Sequence, residues 1–155
     1  MATMIPAHRM QLADVAPRNY GAMSRFSQAG TLDPTLKHLI EIRASQINGC
    51  AFCLDMHHKD ARALGETEER LYMLGAWREA RCYDERERAA LALTEAMTML
   101  SQTDVDDGVW DAAAAQFDAD ELAQVVFAIT VINSWNRLMI TTRAEPGHYE
   151  PGMLG

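Results

Sequence analysis

The chain has 155 residues, a formal net charge of −8 and a pI near 5.0, enough length for one domain, 1–155, with a core of its own. With no basic stripe, nucleic acid and anionic membranes lack an electrostatic source of affinity. No stretch reaches the roughly 18 apolar residues of a membrane span, and Met1 to Met10 lack the apolar core of a secretion signal, so the cytoplasm is the expected compartment.

Helical periodicity dominates, without strand alternation or internal repeat, which predicts an all-α bundle of six to seven helices. Pro6, Pro17, Gly21 and Gly30 mark an irregular N-terminal arm, 1–17, followed by a short helix around Arg18 to Gln28. Asp33-Pro34 reads as a cap followed by a first-turn proline. From it Leu36, Leu39, Ile40 and Ile47 form a helical stripe that stops at Asn48-Gly49. The next helix is expected from about Cys50 to Leu64, ending at Gly65, and a third from Thr67 to about Arg81. Asp84 caps a fourth, in which Ala89, Ala92, Leu93, Ala96, Met97 and Leu100 recur at offsets of three and four. The acidic run Asp104 to Asp107 precedes a short alanine-rich helix around Val109 to Phe117. Asp118 or Asp120 then caps a long final helix with Leu122, Val125, Val126, Ile129 and Ile132 on its apolar face. Pro146-Gly147 and Pro151-Gly152 break the C-terminal tail, 144–155, which reads as an extended arm.

One segment carries chemistry. Cys50 and Cys53 form a C-x-x-C at a helix start, where the positive end of the helix dipole favours thiolate over thiol. His57 lies one helical turn beyond Cys53, close enough to act as its base, so Cys53 is the expected attacking sulfur and Cys50 its resolving partner. In such chemistry the thiolate takes one oxygen from ROOH and becomes a sulfenic acid, which the second thiol captures as a disulfide. Zinc is the competing reading of a C-x-x-C. It needs four ligands in a closed site, and neither a second C-x-x-C nor an H-x-x-x-H is present, so no metal or other cofactor is expected. His8 and His148 read as ordinary polar residues, His58 as pointing away from the cysteines, and Cys82 as a partly buried small hydrophobe.

The segment Glu41-Ile42-Arg43-Ala44-Ser45-Gln46-Ile47-Asn48-Gly49-Cys50-Ala51-Phe52-Cys53-Leu54-Asp55-Met56-His57 resembles the active-site segment of the AhpD-like alkylhydroperoxidases, within the carboxymuconolactone decarboxylase family. The likeness extends to Ala89 through Glu95, to Val131 through Leu138 and to Pro146-Gly147-His148-Tyr149. This resemblance implies an AhpD-like helical bundle, assembly of identical chains into trimers or hexamers, and reduction of a hydroperoxide substrate through the cysteine pair. The implied electron donor is a lipoyl-type dithiol or a thioredoxin-like protein. The second cysteine of the pair is the peroxidatic one in that family, and the histidine four residues later belongs to a proton relay. Here these are Cys53 and His57. The relay's glutamate stands twelve residues before the first cysteine in the family, a position held here by His38, and a histidine that some members carry before the second cysteine is replaced by Phe52. Either His38 or Glu41, one turn along the same helix, is left to complete the relay.

Three functions therefore compete. The first is a peroxidase built on the C-x-x-C dithiol, and the second is a non-enzymatic oligomeric redox sensor or binding protein. The third is a carboxymuconolactone-type decarboxylase, whose chemistry does not use a cysteine pair.

Overall fold

The computed structural model describes residues 7–153, so the first residues of the N-terminal arm and the last two of the tail lie outside them. The described residues form eight α-helices and no strand: α1 Leu12–Val15, α2 Pro17–Gln28, α3 Pro34–Asn48, α4 Ala51–Ala63, α5 Glu68–Met73, α6 Glu85–Thr98, α7 Asp107–Gln116 and α8 Ala119–Thr142. None of them is long and apolar enough to cross a membrane.

Helix α3 is the axis of the bundle and packs against α4, α6 and α8. Its sides divide the core among these neighbours. Leu36 and Ile40 join Ala90, Leu93, Phe117, Val125 and Ile129, while Leu39 and Ile42 join Ala61, Leu74, Trp77 and Leu91. Ala44 joins Cys50, Cys53, Ile132 and Met139. One side remains polar: His38, Glu41, Ser45 and Asn48, spaced by three, four and three, share a face of an otherwise apolar helix. That face sets the position of the site.

Local signals in the sequence end the helices where expected. The Asp33 side chain accepts the Leu36 N–H ahead of Pro34, and Asp84 and Asp118 make capping boxes with Glu87 and Glu121. Gly49 closes α3 at φ 71°, with the Cys50 N–H bonded back to the Ser45 carbonyl at 3.0 Å. A Cβ at Gly49 would meet no atom within 4 Å, so backbone conformation and not space calls for glycine there. This one-residue reversal lets α4 start at once against α3.

Three expectations change. The helix expected from Thr67 to about Arg81 is α-helical only to Met73 and continues as a 3-10 turn, Leu74–Ala76, and an irregular stretch. The buried side chains explain this. Leu71, Leu74, Trp77, Ala80 and Tyr83 recur at every third residue, a spacing that three-residue turns can keep on one side and an α-helix cannot. Helix α6 buries a wider surface than the expected stripe of Ala89, Ala92, Leu93, Ala96, Met97 and Leu100. It buries Leu91 on one side, Ala89, Ala90 and Leu93 on another, and Thr94, Glu95 and Thr98 besides, while Leu100 lies exposed beyond its end. The tail is not an extended arm over its described length, because residues 146–149 dock on α4. There the Gly147 N–H donates to Asp55 Oδ2 (2.9 Å), Lys59 Nζ to the Tyr149 carbonyl (2.8 Å) and the Tyr149 hydroxyl to Asp60 Oδ1 (2.7 Å). In the N-terminal arm, α1 adds a single helical turn, and the Arg9 N–H donates to the Thr142 carbonyl at 2.9 Å.

Glu95 ties the irregular stretch to the bundle. Its carboxylate accepts from Arg43 Nε (2.8 Å), Trp77 Nε1 (2.9 Å) and Arg78, joining α6, α3 and the Trp77 turn. Burial pushes its pKa up, but the bonds from Trp77, Arg78 and Arg43 outweigh this and hold it below the usual carboxylate value. Glu95→Ala is expected to cost about 3 kcal/mol in urea denaturation at pH 7, since it strips charged hydrogen bonds from a buried junction. A carboxylate with a depressed folded pKa stabilises above its unfolded value, and that part is lost as pH falls through the folded one. The variant should therefore differ least from wild type in acid.

Candidate active site

The two sulfurs sit at the start of α4. Cys50 is the N-cap residue, in an extended conformation, and Cys53 is in the first turn; each is 1% exposed. Both thiols are free, and their Sγ atoms lie 2.8 Å apart, within reach of a shared S–H···S hydrogen bond. Cys50 makes no tight capping bond, but the backbone N–H groups of Cys53 and Phe52 are turned toward its sulfur.

The pair has one easy ionisation and one hard one. The Cys53 hydrogen bond draws the Cys50 thiol down to about 7 against the opposing effect of burial. The same bond, with burial and the nearby charge, pushes Cys53 up. The two share one proton and one negative charge across a short contact, so the lowered value belongs to the couple more than to either sulfur.

One turn along α4, His57 is buried, and its Nδ1 lies 3.1 Å from Glu41 Oε2. The approach is misaligned for an N–H···O bond, which leaves this nitrogen without a hydrogen-bond partner. His38 Nδ1 meets the same Glu41 oxygen at 3.1 Å with good geometry, and Lys37 Nζ lies 3.8 Å from the other. Burial alone would raise the pKa of Glu41. The His57 imidazole beside it, the bond from His38 and the Lys37 charge reverse this and hold the carboxyl well below the usual range. Glu41 is therefore an anion that orients two imidazoles.

These groups open onto a cavity of about 370 Å³. Cys53, His57, Glu41 and His38 form its polar end, and Tyr20, Phe52, Val131, Trp135 and Met139 line an apolar body. Tyr149 and Gly152 of the tail close one rim, beside Asp60. Cys53 lines the cavity and Cys50 does not. Cys53 and His57 line the same cavity without a hydrogen bond between them.

All five residues singled out in the sequence meet here, in two groups: the sulfurs, and the His38–Glu41–His57 triad. His38 and Glu41 are bonded to each other, Glu41 Oε2 lies 3.1 Å from His57 Nδ1, and the His38 and His57 rings are 5.8 Å apart between centroids. The triad's ligand atoms lie within 4.8 Å of one another, dimensions a divalent cation accepts. The Lys37 ammonium beside the same carboxylate opposes a cation there, and the carboxylate already serves two imidazoles. His8 and His148 are exposed, Cys82 is partly buried, and His58 turns back to the Leu54 carbonyl at 2.7 Å. Sequence reasoning missed Asn136, which is fully buried beside both sulfurs, and the Tyr149–Asp60 rim.

The family model for the carboxymuconolactone decarboxylase family matches residues 16–96, which hold both cysteines and the triad. The chain belongs to that family. Within it, the uncharacterized protein YdfG of Bacillus subtilis (strain 168) is 39% identical over 137 residues, spanning 86% of this chain and 93% of YdfG. Among solved structures, one of a protein of unknown function from Agrobacterium tumefaciens that carries the antioxidant-defence name AhpD superposes with a TM-score of 0.87. It is 34% identical, over 92% of this chain and all of that one. The family's AhpD-like helical fold is thus the fold of this chain. The debrominase Bmp8, complexed with 2,3,4-tribromopyrrole, shares the fold alone, with a TM-score of 0.75 and 18% identity over 87% of this chain and 74% of its own.

Proposed function

We propose that this chain is a hydroperoxide reductase in which Cys53 is the peroxidatic residue and Cys50 the resolving one. The observation that carries the reading is a pair of unbridged sulfurs 2.8 Å apart, of which Cys53 alone opens onto an apolar cavity with an imidazole at its polar end.

In the first step the Cys53 thiolate attacks the outer oxygen of ROOH. The O–O bond breaks, sulfur is oxidised to Cys53–SOH, and the RO⁻ leaving group takes a proton and departs as ROH. His57, across the cavity, supplies that proton, and Glu41 stabilises and orients its imidazole. In the second step Cys50 sulfur attacks Cys53 sulfur and releases hydroxide, protonated to water, to give the disulfide. The sulfurs need little movement to bond. An external dithiol, lipoyl-type or thioredoxin-like, then reduces the disulfide and is itself oxidised.

The lowered first ionisation of the pair supports thiolate at neutral pH although Cys50 holds the charge in the resting geometry. The proton crosses a short S···S contact, and the sulfur that faces the substrate reacts. Assembly of identical chains into trimers or hexamers is what the family resemblance implies, and the exposed Phe26 and Phe127 offer apolar surface for a contact. A decarboxylase has no use for the paired sulfurs.

The test is anaerobic stopped-flow with cumene hydroperoxide. Reduced protein should lose two thiols per chain and release cumyl alcohol, and repeated turnover should follow when dihydrolipoate is supplied. Unchanged thiols would remove the peroxidase. A single oxidation that no dithiol reverses would favour the redox sensor.

A further inference from the structure

Behind the sulfurs, on the side away from the cavity, lies a polar network that the redox steps above leave without a task. It joins Ser45 and Asn48 of α3, Thr98 of α6, and Asn133 and Asn136 of α8.

Its polarity is fixed from both ends. Arg137 can only donate, and its Nη1 gives a hydrogen bond to Asn133 Oδ1 at 3.2 Å, while Asn133 Nδ2 donates to the Ile129 carbonyl at 2.9 Å. These two contacts settle which end of the Asn133 amide is oxygen. Asn48 Nδ2 donates to that oxygen at 3.0 Å and to Asn136 Oδ1 at 2.8 Å. At the far end Ser45 gives its single proton to the Glu41 carbonyl at 2.7 Å, so its oxygen accepts from Asn136 Nδ2 at 3.0 Å.

Asn136 is thereby locked with its carbonyl toward Asn48 and its amino group toward the α3–α4 turn. It is fully buried, and Ile132 and Met139, about one turn to either side on α8, pack on the sulfurs. One of its two N–H bonds goes to Ser45. Nδ2 sits 3.0 Å from the Ser45 hydroxyl, and the Ser45 carbonyl takes the Cys50 N–H at 3.0 Å, so the amide lies beside the cysteine turn, where it favours charge on both thiols.

The chemistry needs such a donor. A thiolate almost wholly removed from water carries a large desolvation penalty unless hydrogen bonds replace the water. No lysine or arginine makes a salt bridge or hydrogen bond to either sulfur among the described residues. A neutral amide can also stay in place through the whole cycle, since it neither titrates nor reacts with a sulfenic acid.

We propose that Asn136 is a further catalytic residue, an amide donor to whichever sulfur of the pair carries the negative charge, held in aim by Asn48 and Ser45. The inference rests on the dithiol reading of the site and assigns a residue that neither the C-x-x-C nor the imidazole–carboxylate pair contains. The bond is expected to be charge-assisted, about twice as strong as a neutral one. Two side chains act on one ionisation here, and both favour the charge: Cys53 through its S–H and Asn136 through its N–H.

The experiment is a thiolate titration by absorbance at 240 nm on the reduced full chain, free of peroxide, with iodoacetamide alkylation rates alongside. In wild type the first transition should lie near 7, with alkylation slow below it and fast above, because a lowered thiol pKa places thiolate at neutral pH. Asn136→Leu, similar in size and without a donor, should move the transition up by about one to two units, a ten- to hundredfold loss of alkylation rate below it. Thr98→Val, at the Asn133 end of the network, touches neither Asn136 nor a sulfur and should leave the transition where it is. A folded Asn136→Leu protein that titrates with wild type would overturn the proposal. So would a Thr98→Val shift as large as that of Asn136→Leu, since the effect would then be structural. Should Asn136→Leu not fold by circular dichroism, Asn136→Val, smaller and equally without donor or charge, is read the same way: an unmoved transition overturns, an upward one supports. None of these readouts involves peroxide. A shift in a protein inert to hydroperoxide would keep Asn136 as donor and remove the peroxidase, whereas turnover without a shift would do the reverse.

Discussion

Cys53→Ser is expected to lower the second-order rate of cumene hydroperoxide reduction by a factor on the order of 10³ or more, because the attacking sulfur is lost outright. Cys50→Ser should behave differently. Its Cys53 still faces the cavity, so one equivalent of peroxide is consumed and one alcohol released, but with no resolving thiol the sulfenic acid persists. Dimedone trapping followed by mass spectrometry should find the adduct on Cys53 in this variant and little in wild type. The first oxidation in Cys50→Ser should also slow, since the S–H···S bond that eases the pair's ionisation is gone. A dimedone adduct on Cys50 in Cys53→Ser at the wild-type rate would reverse the assignment. That outcome is chemically meaningful: Cys50 carries the lower pKa, and only its position away from the cavity argues against attack.

How far the sequence reaches into this site follows from the range of the forces involved. Asp33-Pro34, Asn48-Gly49, Asp84 and Asp118 act within one turn of themselves, so their helix ends can be read from neighbours alone. The convergence of Cys50, Cys53 and His57 needs only helical spacing, and Glu41 and His38 share the next helix across a tight turn. By contrast, the Trp77 stretch is shaped by Glu95, eighteen residues on, whose carboxylate receives its indole N–H. Local propensity favours a continued helix there, and tertiary contact decides otherwise. Asn136 meets Asn48 and Ser45 across 88 and 91 residues of chain, beyond any local pattern. The chain does carry a trace of it: His38, Glu41, Ser45 and Asn48 form a polar stripe along a helix otherwise buried in apolar packing, and Asn133 and Asn136 repeat the pattern at i, i+3 on α8. Two polar stripes on two buried helices are costly unless they face each other. Pairing the stripes on that ground alone sets α8 behind the cysteines, where it lies.

Glu41→Gln should separate the carboxylate's chemical role from its structural one. The substitution keeps the shape but replaces the anion by a neutral amide, whose NH₂ end must face either the two Nδ1 atoms 3.1 Å from Oε2 or the Lys37 ammonium 3.8 Å from Oε1. Without the anion, His57 has no charge partner at that nitrogen and no reason to hold its orientation toward the cavity. Peroxide reduction is expected to fall about a hundredfold, within the range general acid and base groups supply. The thiolate titration should not move up, because the Glu41 charge acts against ionisation of Cys53 and the substitution removes it. Stability gives an independent check with a definite sign. The native protein holds Glu41 well below its unfolded value of 4.5, so between those values the unfolded chain binds the extra proton and stability rises with pH. This contribution is complete above about 4.5 in wild type, fades in acid as the carboxylate protonates, and is absent from Glu41→Gln at every pH. Melting temperatures should therefore differ at pH 7 and draw together toward pH 3, while the activity deficit persists wherever both proteins stay folded. A variant with full activity and the altered acid profile would leave Glu41 a structural anion and return the relay to His57 and His38.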